Sequence, residues 1–430
     1  MAKHADLLGR HKKVLPSWMA LYYSEPISIV DGEGRYVTDA EGNEYLDFFG
    51  GILTTMSGYR VPEVVEAIKT QADKMLHTST LYLIESQIEL AEKIAELSGI
   101  PDAKVFFTNS GTEANDTALM LATQYRKSNQ ILAFRGSYHG KSHSAVAITG
   151  QKSWSATSLS PFQVTYVHGG YKLRSPFGHL PDREFTEACV ADLRDLLTIA
   201  TAGDVAAMIA EPIQGVGGFV TPPDGFFGAM KEVLDEHGIL FITDEVQTGW
   251  GRTGEHFWGY QSHDLTPDLL TFAKGLGNGL AMAGVVAKPE IMDCLGANSI
   301  STFGGNPLAT AGALANLQYV LDNDLQTNAL KVGNRLKNGL HSIAEGVPEI
   351  VEVRGKGLML GVEFGTEDGS PDTDLTASVM EEAKRESLLI GKGGLHGNTL
   401  RIAPPLSITE DEADEGLEKL RSAIDKARQK

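Results

Sequence analysis

Asp268-Leu-Leu-Thr-Phe-Ala-Lys274-Gly-Leu-Gly-Asn-Gly279 sets one lysine at the end of a short apolar run, with glycines directly behind it. Pro267 and Gly275 bound the run, which reads as a buried strand with Lys274 at its carboxyl end. A lysine is a poor packing residue at such a place. Removal from water disfavours its ammonium form, and the neutral amine can attack a carbonyl and form a Schiff base. The competing reading lays the lysine stem along the strand end with its charge in water. The segments upstream and downstream decide between the two.

Upstream, apolar runs alternate with helical periods. Val105-Phe-Phe107 precedes a helix from about Glu113, and Ile131 to Phe134, Val205 to Ile209, a helical stretch from Phe226 to His237 and Ile239 to Thr243 follow in turn. Such alternation implies βαβ units and an α/β fold with a mostly parallel central sheet covered on both faces. Before it, Ser28-Ile-Val30 and Arg35-Tyr-Val-Thr38, the second ending in the turn Asp39 to Gly42, predict a small antiparallel sheet preceded by an arm. From about residue 308, two long helical patterns lead to Ile350 to Val353 and Leu358 to Phe364, an expected hairpin around Gly355. A last helix is capped by Thr409 and Glu412 at capping-box spacing.

In an open parallel sheet, ligands gather at the carboxyl ends of the strands, so the residues just past each apolar run carry the functional reading. After Val105 to Thr108 come Ser110, Gly111, Thr112 and Glu113, where a helix amino terminus opens with free backbone donors and two hydroxyls. That arrangement suits a phosphate, or is a plain cap. After Phe134, Tyr138 and His139 stand between glycines, where an aromatic face stacks on a flat ligand or packs in the core. Glu211 follows Val205 to Ala210, and Asp244 follows Ile239 to Thr243, with Gln247 close behind. A carboxylate ending an apolar strand needs a cation or a donor, and Asp244 has no basic neighbour in sequence. A protonated heterocycle nitrogen would serve, as would a structural ion pair or a helix to cap. Together these strand ends describe a site for pyridoxal 5'-phosphate: aldehyde on lysine, ring nitrogen on aspartate, ring on an aromatic, phosphate on a helix amino terminus.

Ser110-Gly-Thr-Glu-Ala114, Tyr138-His-Gly140, Asp244-Glu-Val-Gln-Thr-Gly249 with Gly251-Arg-Thr-Gly254, Lys274-Gly275 and Thr302-Phe-Gly-Gly-Asn-Pro307 resemble, in this order and across nearly the whole chain, the class III pyridoxal-phosphate aminotransferases. The resemblance implies a type I pyridoxal-phosphate transferase fold. Residues 62–320 would form the large cofactor-binding domain, and residues 1–61 and 321–430 a small α+β domain. It implies a homodimer with active sites at the subunit interface, leaving open whether dimers pair into tetramers. Lys274 resembles the Schiff-base lysine that also moves the proton at the substrate carbon, and Asp244 the partner of the ring nitrogen. Gln247 would donate to the ring hydroxyl, Ser110, Gly111 and Thr112 would hold the phosphate, and Tyr138 would stack on the ring. Thr302 would reach the phosphate in the neighbouring subunit. Glu211 and Arg401 would handle substrate, Arg401 by a two-pronged grip on a carboxylate. Ile52, within the segment Phe49 to Thr55, is expected to line the substrate pocket or serve the core.

Glu211-Pro-Ile-Gln-Gly-Val216 and Gly391-Lys-Gly-Gly-Leu-His-Gly397 are most similar to the alanine-glyoxylate and 3-aminocarboxylate-pyruvate branch. This implies a small amino donor such as alanine or β-alanine and a 2-oxo acid acceptor such as pyruvate or glyoxylate. Gly58-Tyr-Arg-Val-Pro62 departs from the Gly-His-x-His-Pro form of many relatives. A dialkylglycine-type decarboxylase, an aminomutase and a 4-aminobutyrate aminotransferase would use the same constellation; a non-catalytic regulator would need a further module.

Composition sets outer limits. The 430 residues carry 37 Lys and Arg against 56 Asp and Glu, a net charge of −19 that argues against nucleic acid or an anionic membrane as partner. Two cysteines, Cys189 and Cys294, and a polar start predict a reducing, cytoplasmic setting. No metal-ligand pattern stands out.

Overall fold

The structure, a computed structural model, describes residues 2–430; of the expected 1–61 segment only Met1 lies outside the described residues. Near the amino terminus β1 (Ile29–Glu33), β2 (Tyr36–Asp39) and β3 (Glu44–Asp47) pair antiparallel, as the alternating runs predict. The central sheet comprises β4 (Lys104–Thr108), β5 (Gln130–Phe134), β6 (Gln163–Val167), β7 (Ala207–Ala210), β8 (Leu240–Asp244), β9 (Leu269–Phe272) and β10 (Ala283–Ala287). Its strands run in the order β4-β10-β9-β8-β7-β5-β6, parallel except for β10, which is antiparallel to both neighbours.

Every residue of β5, β7, β8 and β9 is buried, because helices cover both faces. On one face Ala114, Ala118 and Leu119 of the helix Gly111–Arg126 pack on Ile131, Ile242 and Val285. On the other, Phe185, Leu193, Phe226 and Val233 pack on Leu132, Met208 and Phe241. Side chains alternate between these two layers along each strand, as the two-residue period requires.

The carboxyl-terminal part adds β11 (Ile350–Lys356), β12 (Met359–Phe364), β13 (Leu388–Leu389), β14 (Gly391–Gly393) and β15 (Thr399–Ile402). They form the order β11-β12-β15-β14, while β13 leaves to pair in parallel with β3, setting Leu388 beside Leu46. The hairpin forms, with its turn at Gly357, φ +52, rather than at Gly355. Gly355 sits within β11 opposite Leu360 with φ +117, and a Cβ would stand 2.1 Å from the Met359 carbonyl oxygen, so both its backbone conformation and the close approach of the strands call for glycine. The final helix, Glu410–Arg428, has the expected capping box: Glu412 N–H donates to Thr409 Oγ1 at 3.2 Å, and Glu412 Oε2 accepts from Thr409 N–H at 2.8 Å. Glu363 of β12, fully buried, accepts from Arg354 Nη1 at 2.6 Å, from Arg174 Nη2 at 3.0 Å and from the Tyr171 hydroxyl, tying this sheet to the loop around residue 171. Among the described residues, no helix is long and apolar enough to cross a membrane.

The antiparallel β10 depends on Gly284. A Cβ there would come 2.5 Å from Cζ of Phe272 on β9 and 2.6 Å from the Phe106 carbonyl oxygen on β4. Gly284→Val is expected to destabilise the fold by about 1–3 kcal/mol through overpacking, read as a lower midpoint in thermal unfolding. An unchanged midpoint would mean that the β4-β10-β9 contact is looser than drawn.

Candidate active site

The carboxyl ends of β4, β5, β7, β8 and β9 open onto one cavity of about 450 Å³, and those ends contribute Ser110, Tyr138, Glu211, Asp244 and Lys274 to its wall. Gly111, Thr112 and Gln247 line it too. The strand ends singled out from sequence therefore converge, as a parallel sheet demands.

Asp244 sits at the bottom, 4 % exposed. Its Oδ2 accepts from Asn115 Nδ2 at 2.8 Å and from His139 Nδ1 at 2.8 Å, and its Oδ1 from Val246 N–H at 3.1 Å. The donors that its burial requires are thus supplied partly by the protein, from residues distant in sequence. Asn115 is itself oriented: its Oδ1 accepts from Thr271 Oγ1 at 2.8 Å and its Nδ2 also donates to the His139 carbonyl at 2.8 Å. Its role went unread in the sequence, although it lies three residues after Thr112, the spacing that puts two side chains on one helix face.

Lys274 follows β9 with φ +45, a left-handed backbone that turns the chain sharply into the short helix Lys274–Gly277. Its half-buried side chain enters the cavity wall. Loss of water lowers its pKa; the negative charges of Asp244 and Glu211 counter this, and the positive charge of Arg401 adds to it. The lysine is thereby biased toward the nucleophilic amine.

At the end of β4 the helix Gly111–Arg126 begins with Ser110 as its cap, whose Oγ accepts from Glu113 N–H at 3.4 Å. Glu113 does not close a capping box; its Oε2 accepts instead from Asn109 N–H at 2.8 Å. The first backbone donors of a helix lack intrahelical partners, so this terminus attracts an anion. Gly111 packs closely here: a Cβ would meet Val246 Cγ2 at 3.2 Å, a tight contact. Thr112 Oγ1 is engaged with the facing loop, accepting from Ser142 N–H at 3.1 Å and donating to Ser142 Oγ at 3.0 Å.

Tyr138 stands at the cavity wall, its ring edge-on to Trp154 with centroids 5.3 Å apart, and its N–H donates to Glu211 Oε1 at 2.9 Å. Glu211 Oε2 accepts from Gly215 N–H at 2.8 Å. Burial raises the Glu211 pKa to about 7; His139 opposes that shift and Asp244 reinforces it. Gln247 is buried and its Oε1 has no partner among the described residues; the same is true of His139 Nε2. Arg401, on β15, is 3 % exposed and forms no ion pair with a carboxylate among the described residues.

Three nominated residues, Ile52, Thr302 and Arg401, are not among those lining this cavity. Ile52 is corrected as a core residue: it is 44 % exposed, and it is not among the residues lining this cavity. Gly50, Gly51, Ile52 and Leu53 all have positive φ, +52, +60, +67 and +62, a left-handed turn that swings Ile52 outward and leaves Thr54 at the cavity. Buried Asp47 holds this turn, its Oδ1 accepting from Phe49 N–H at 2.8 Å and Gly50 N–H at 3.1 Å. Tyr59, which like Val61 replaces a histidine of the Gly-His-x-His-Pro form, donates to Asp47 Oδ2 at 2.6 Å. Thr302 is exposed on the loop before the helix Pro307–Asp322 and is not among the residues lining the cavity of its own chain.

The family model for aminotransferase class III matches residues 20–424 of the 430. The chain belongs to the class III aminotransferases. Among relatives of this family, it is 41 % identical to "Alanine--glyoxylate aminotransferase 2 homolog 2, mitochondrial" of Arabidopsis thaliana, over 95 % of this chain and 85 % of the relative. It is 35 % identical to an alanine/serine racemase of Pyrococcus horikoshii, over 97 % and 90 % of the two chains. A thermostable (S)-enantioselective omega-transaminase from Thermomicrobium roseum superimposes with a TM-score of 0.91 at 33 % identity, covering 98 % of both chains. The fold is therefore that of the pyridoxal-phosphate-dependent transaminases.

Class III aminotransferases use pyridoxal 5'-phosphate, and this cavity fits it. The orphaned Gln247 Oε1 would accept from a ring hydroxyl, the reverse of the donation expected from sequence, a phosphate would face the helix terminus at Gly111, and the carbonyl-reactive amine and the Asp244 carboxylate stand on the same cavity. Among the described residues, no group of His, Cys, Asp and Glu could hold a metal ion.

The raised Glu211 pKa has a stability consequence in the cofactor-free aminotransferase. The folded state holds its proton up to about pH 7, whereas the unfolded chain releases it near the ordinary 4.5. This contribution is full below pH 4.5 and falls as pH rises to about 7. Urea unfolding of wild type and Glu211→Gln across that range should give a stability difference that shifts against wild type with rising pH. A pH-independent difference would reject the raised pKa.

Proposed function

We propose that this class III aminotransferase moves an amino group from a small amino acid, such as alanine or β-alanine, to a 2-oxo acid such as pyruvate or glyoxylate, in two successive half-reactions. The carrying observation is the half-buried Lys274 side chain at the end of β9 sharing one cavity with the Asp244 carboxylate, beside a buried Arg401 that pairs with no carboxylate among the described residues. The likeness to an alanine–glyoxylate aminotransferase supports the choice of substrates.

The bound cofactor supplies an electron sink for the carbanion left when a bond at the substrate carbon breaks. Lys274 Nζ holds the cofactor and carries the proton to and from that carbon. Asp244 pairs with the ring nitrogen, and Asn115 and His139 keep its carboxylate aimed. Ser110, Gly111 and Thr112 receive the phosphate at the helix terminus, Tyr138 covers the ring and Gln247 meets the ring hydroxyl. Arg401 takes the substrate carboxylate, with Glu211 on the cavity wall held by the Tyr138 and Gly215 N–H groups.

The homodimer belongs to the same reading. Leu81, Tyr82 and Leu83 are 74 %, 70 % and 93 % exposed, and this apolar segment neighbours the loop of Thr302, with the His77 and Phe303 rings 4.9 Å apart. Burying that face against a second copy would deliver Thr302 to the partner's phosphate. The small domain from residues 1–61 and 321–430, the large domain from 62–320 and a cytoplasmic location complete the proposal.

A second reading is favoured by the racemase among the relatives: the same proton chemistry at Lys274, without release of the amino group, would invert the substrate carbon. The deciding experiment adds single amino donors, without acceptor, to the purified enzyme and follows the visible absorbance of the cofactor. Transamination predicts a lasting shift to the aminated form and accumulation of the 2-oxo product. Racemisation predicts exchange of the α-hydrogen with solvent and no oxo product, which would overturn the proposal.

Lys274→Ala is expected to lower turnover by at least about 10² to 10⁴, the usual worth of a positioned acid-base group, while still binding cofactor. Retained steady-state activity would remove Lys274 from the mechanism.

A further inference from the structure

Arg401 is buried, yet its two terminal nitrogens are lightly held. Its Nε donates to the Lys392 carbonyl at 3.1 Å, whereas Nη1 reaches the Gly215 carbonyl only at 3.5 Å and Nη2 reaches the Tyr22 hydroxyl at 3.3 Å. Its guanidinium lies over the Phe49 ring at 4.8 Å and the Phe219 ring at 5.6 Å, so its flat faces are covered and its nitrogen edge is the part left to bind. Its Nη1 contact with the Gly215 carbonyl sets it by the turn whose N–H donates to Glu211 on the cavity wall.

Tyr22 comes from the irregular arm ahead of β1, and its neighbours fix it there. Ser24 N–H donates to Glu381 Oε1 at 2.6 Å, Lys384 Nζ donates to the Glu25 carbonyl at 2.9 Å, and the same ammonium sits 4.8 Å over the Tyr23 ring. Both acidic and basic anchors lie on the helix Thr373–Arg385. Thus tethered, the Tyr22 ring packs on Phe49, centroids 5.8 Å apart, and remains 41 % exposed. Arginine has only donors, so in the Arg401 contact the phenol oxygen accepts. The phenol's own proton has no acceptor among the described residues.

We propose that Tyr22 is a specificity-determining residue for carboxylate substrates: its hydroxyl forms the outer jaw of a clamp whose inner jaw is the Arg401 guanidinium, and donates a third hydrogen bond to the bound carboxylate. This rests on the reading of Arg401 as the carboxylate site and extends it to a residue from the opposite end of the chain. A carboxylate taken between the two meets both weakly occupied Nη donors and one free O–H. Amines and aldehydes without a carboxylate gain nothing from it.

Tyr22→Phe removes the hydroxyl alone and keeps the ring on Phe49. In the holoenzyme it should raise KM for pyruvate about tenfold, as expected for loss of a hydrogen bond to a charged group, with kcat little changed. KM for benzaldehyde as acceptor should stay within twofold. Independently of turnover, the concentration of propionate needed to raise the holoenzyme's thermal midpoint should increase about tenfold, and the response to propionamide should not change. Equal losses on pyruvate and benzaldehyde would assign Tyr22 a general structural role and overturn the proposal. So would an unchanged propionate response, or a tighter one, which would make the phenol a competitor rather than a donor. If wild type turns over no 2-oxo acid, the transamination reading fails, while the propionate titration still decides the role of Tyr22.

Discussion

The Asp244 carboxylate is held out of water at the end of β8, and much of the site follows from that constraint. A buried anion is tolerated only where donors surround it. Asn115 comes from the helix after β4, His139 from the loop after β5 and Thr271, which orients Asn115, from β9. Satisfying one carboxylate therefore fixes the relative positions of several strand ends. Those same ends carry the helix terminus at Gly111, the Tyr138 ring and the Lys274 amine, so the geometry of a cofactor site is set by the requirement to bury one charge.

The site was legible in sequence where a chemically expensive residue ended an apolar run. Lys274, Asp244, Glu211 and the Ser110–Thr112 turn were found this way, because local hydrophobic runs and the rule for parallel sheets suffice to bring them together. Asn115 and the pairing of His139 with Asp244 were not, since an asparagine inside a helix gives no local sign that its partner lies far along the chain. β6 and β10 escaped for a different reason. Gln163-Val-Thr-Tyr-Val167 is partly polar, and Ala283-Gly-Val-Val-Ala287 contains the glycine and alanines that local preference assigns elsewhere. Its place in the sheet depends instead on the tight fit of Gly284 between Phe106 and Phe272.

Backbone conformation corrects Ile52 as a core residue and Gly355 as the hairpin turn. The alternation and spacing of side chains do not report a run of positive φ, and the turn that exposes Ile52 persists because buried Asp47 accepts its backbone donors. Gly355 and Gly357 are equally plausible turn residues in sequence. Both have positive φ, +117 and +52, and only the register of β11 against β12 shows which of them makes the turn. Tyr22 was passed over because nothing in an irregular arm links it to an arginine on β15.

The parallel pairing of β3 with β13 sets Leu46 beside Leu388. During synthesis, the first small sheet must wait for a strand that leaves the ribosome roughly tens of seconds later, at ordinary elongation rates of about 5–20 residues per second. The whole central sheet is made in the interval. The ribosome thus delivers the cofactor-binding layer before either end of the chain can close over it, and the nascent amino terminus, with its unpaired β3 edge, is a natural client for a chaperone in the meantime.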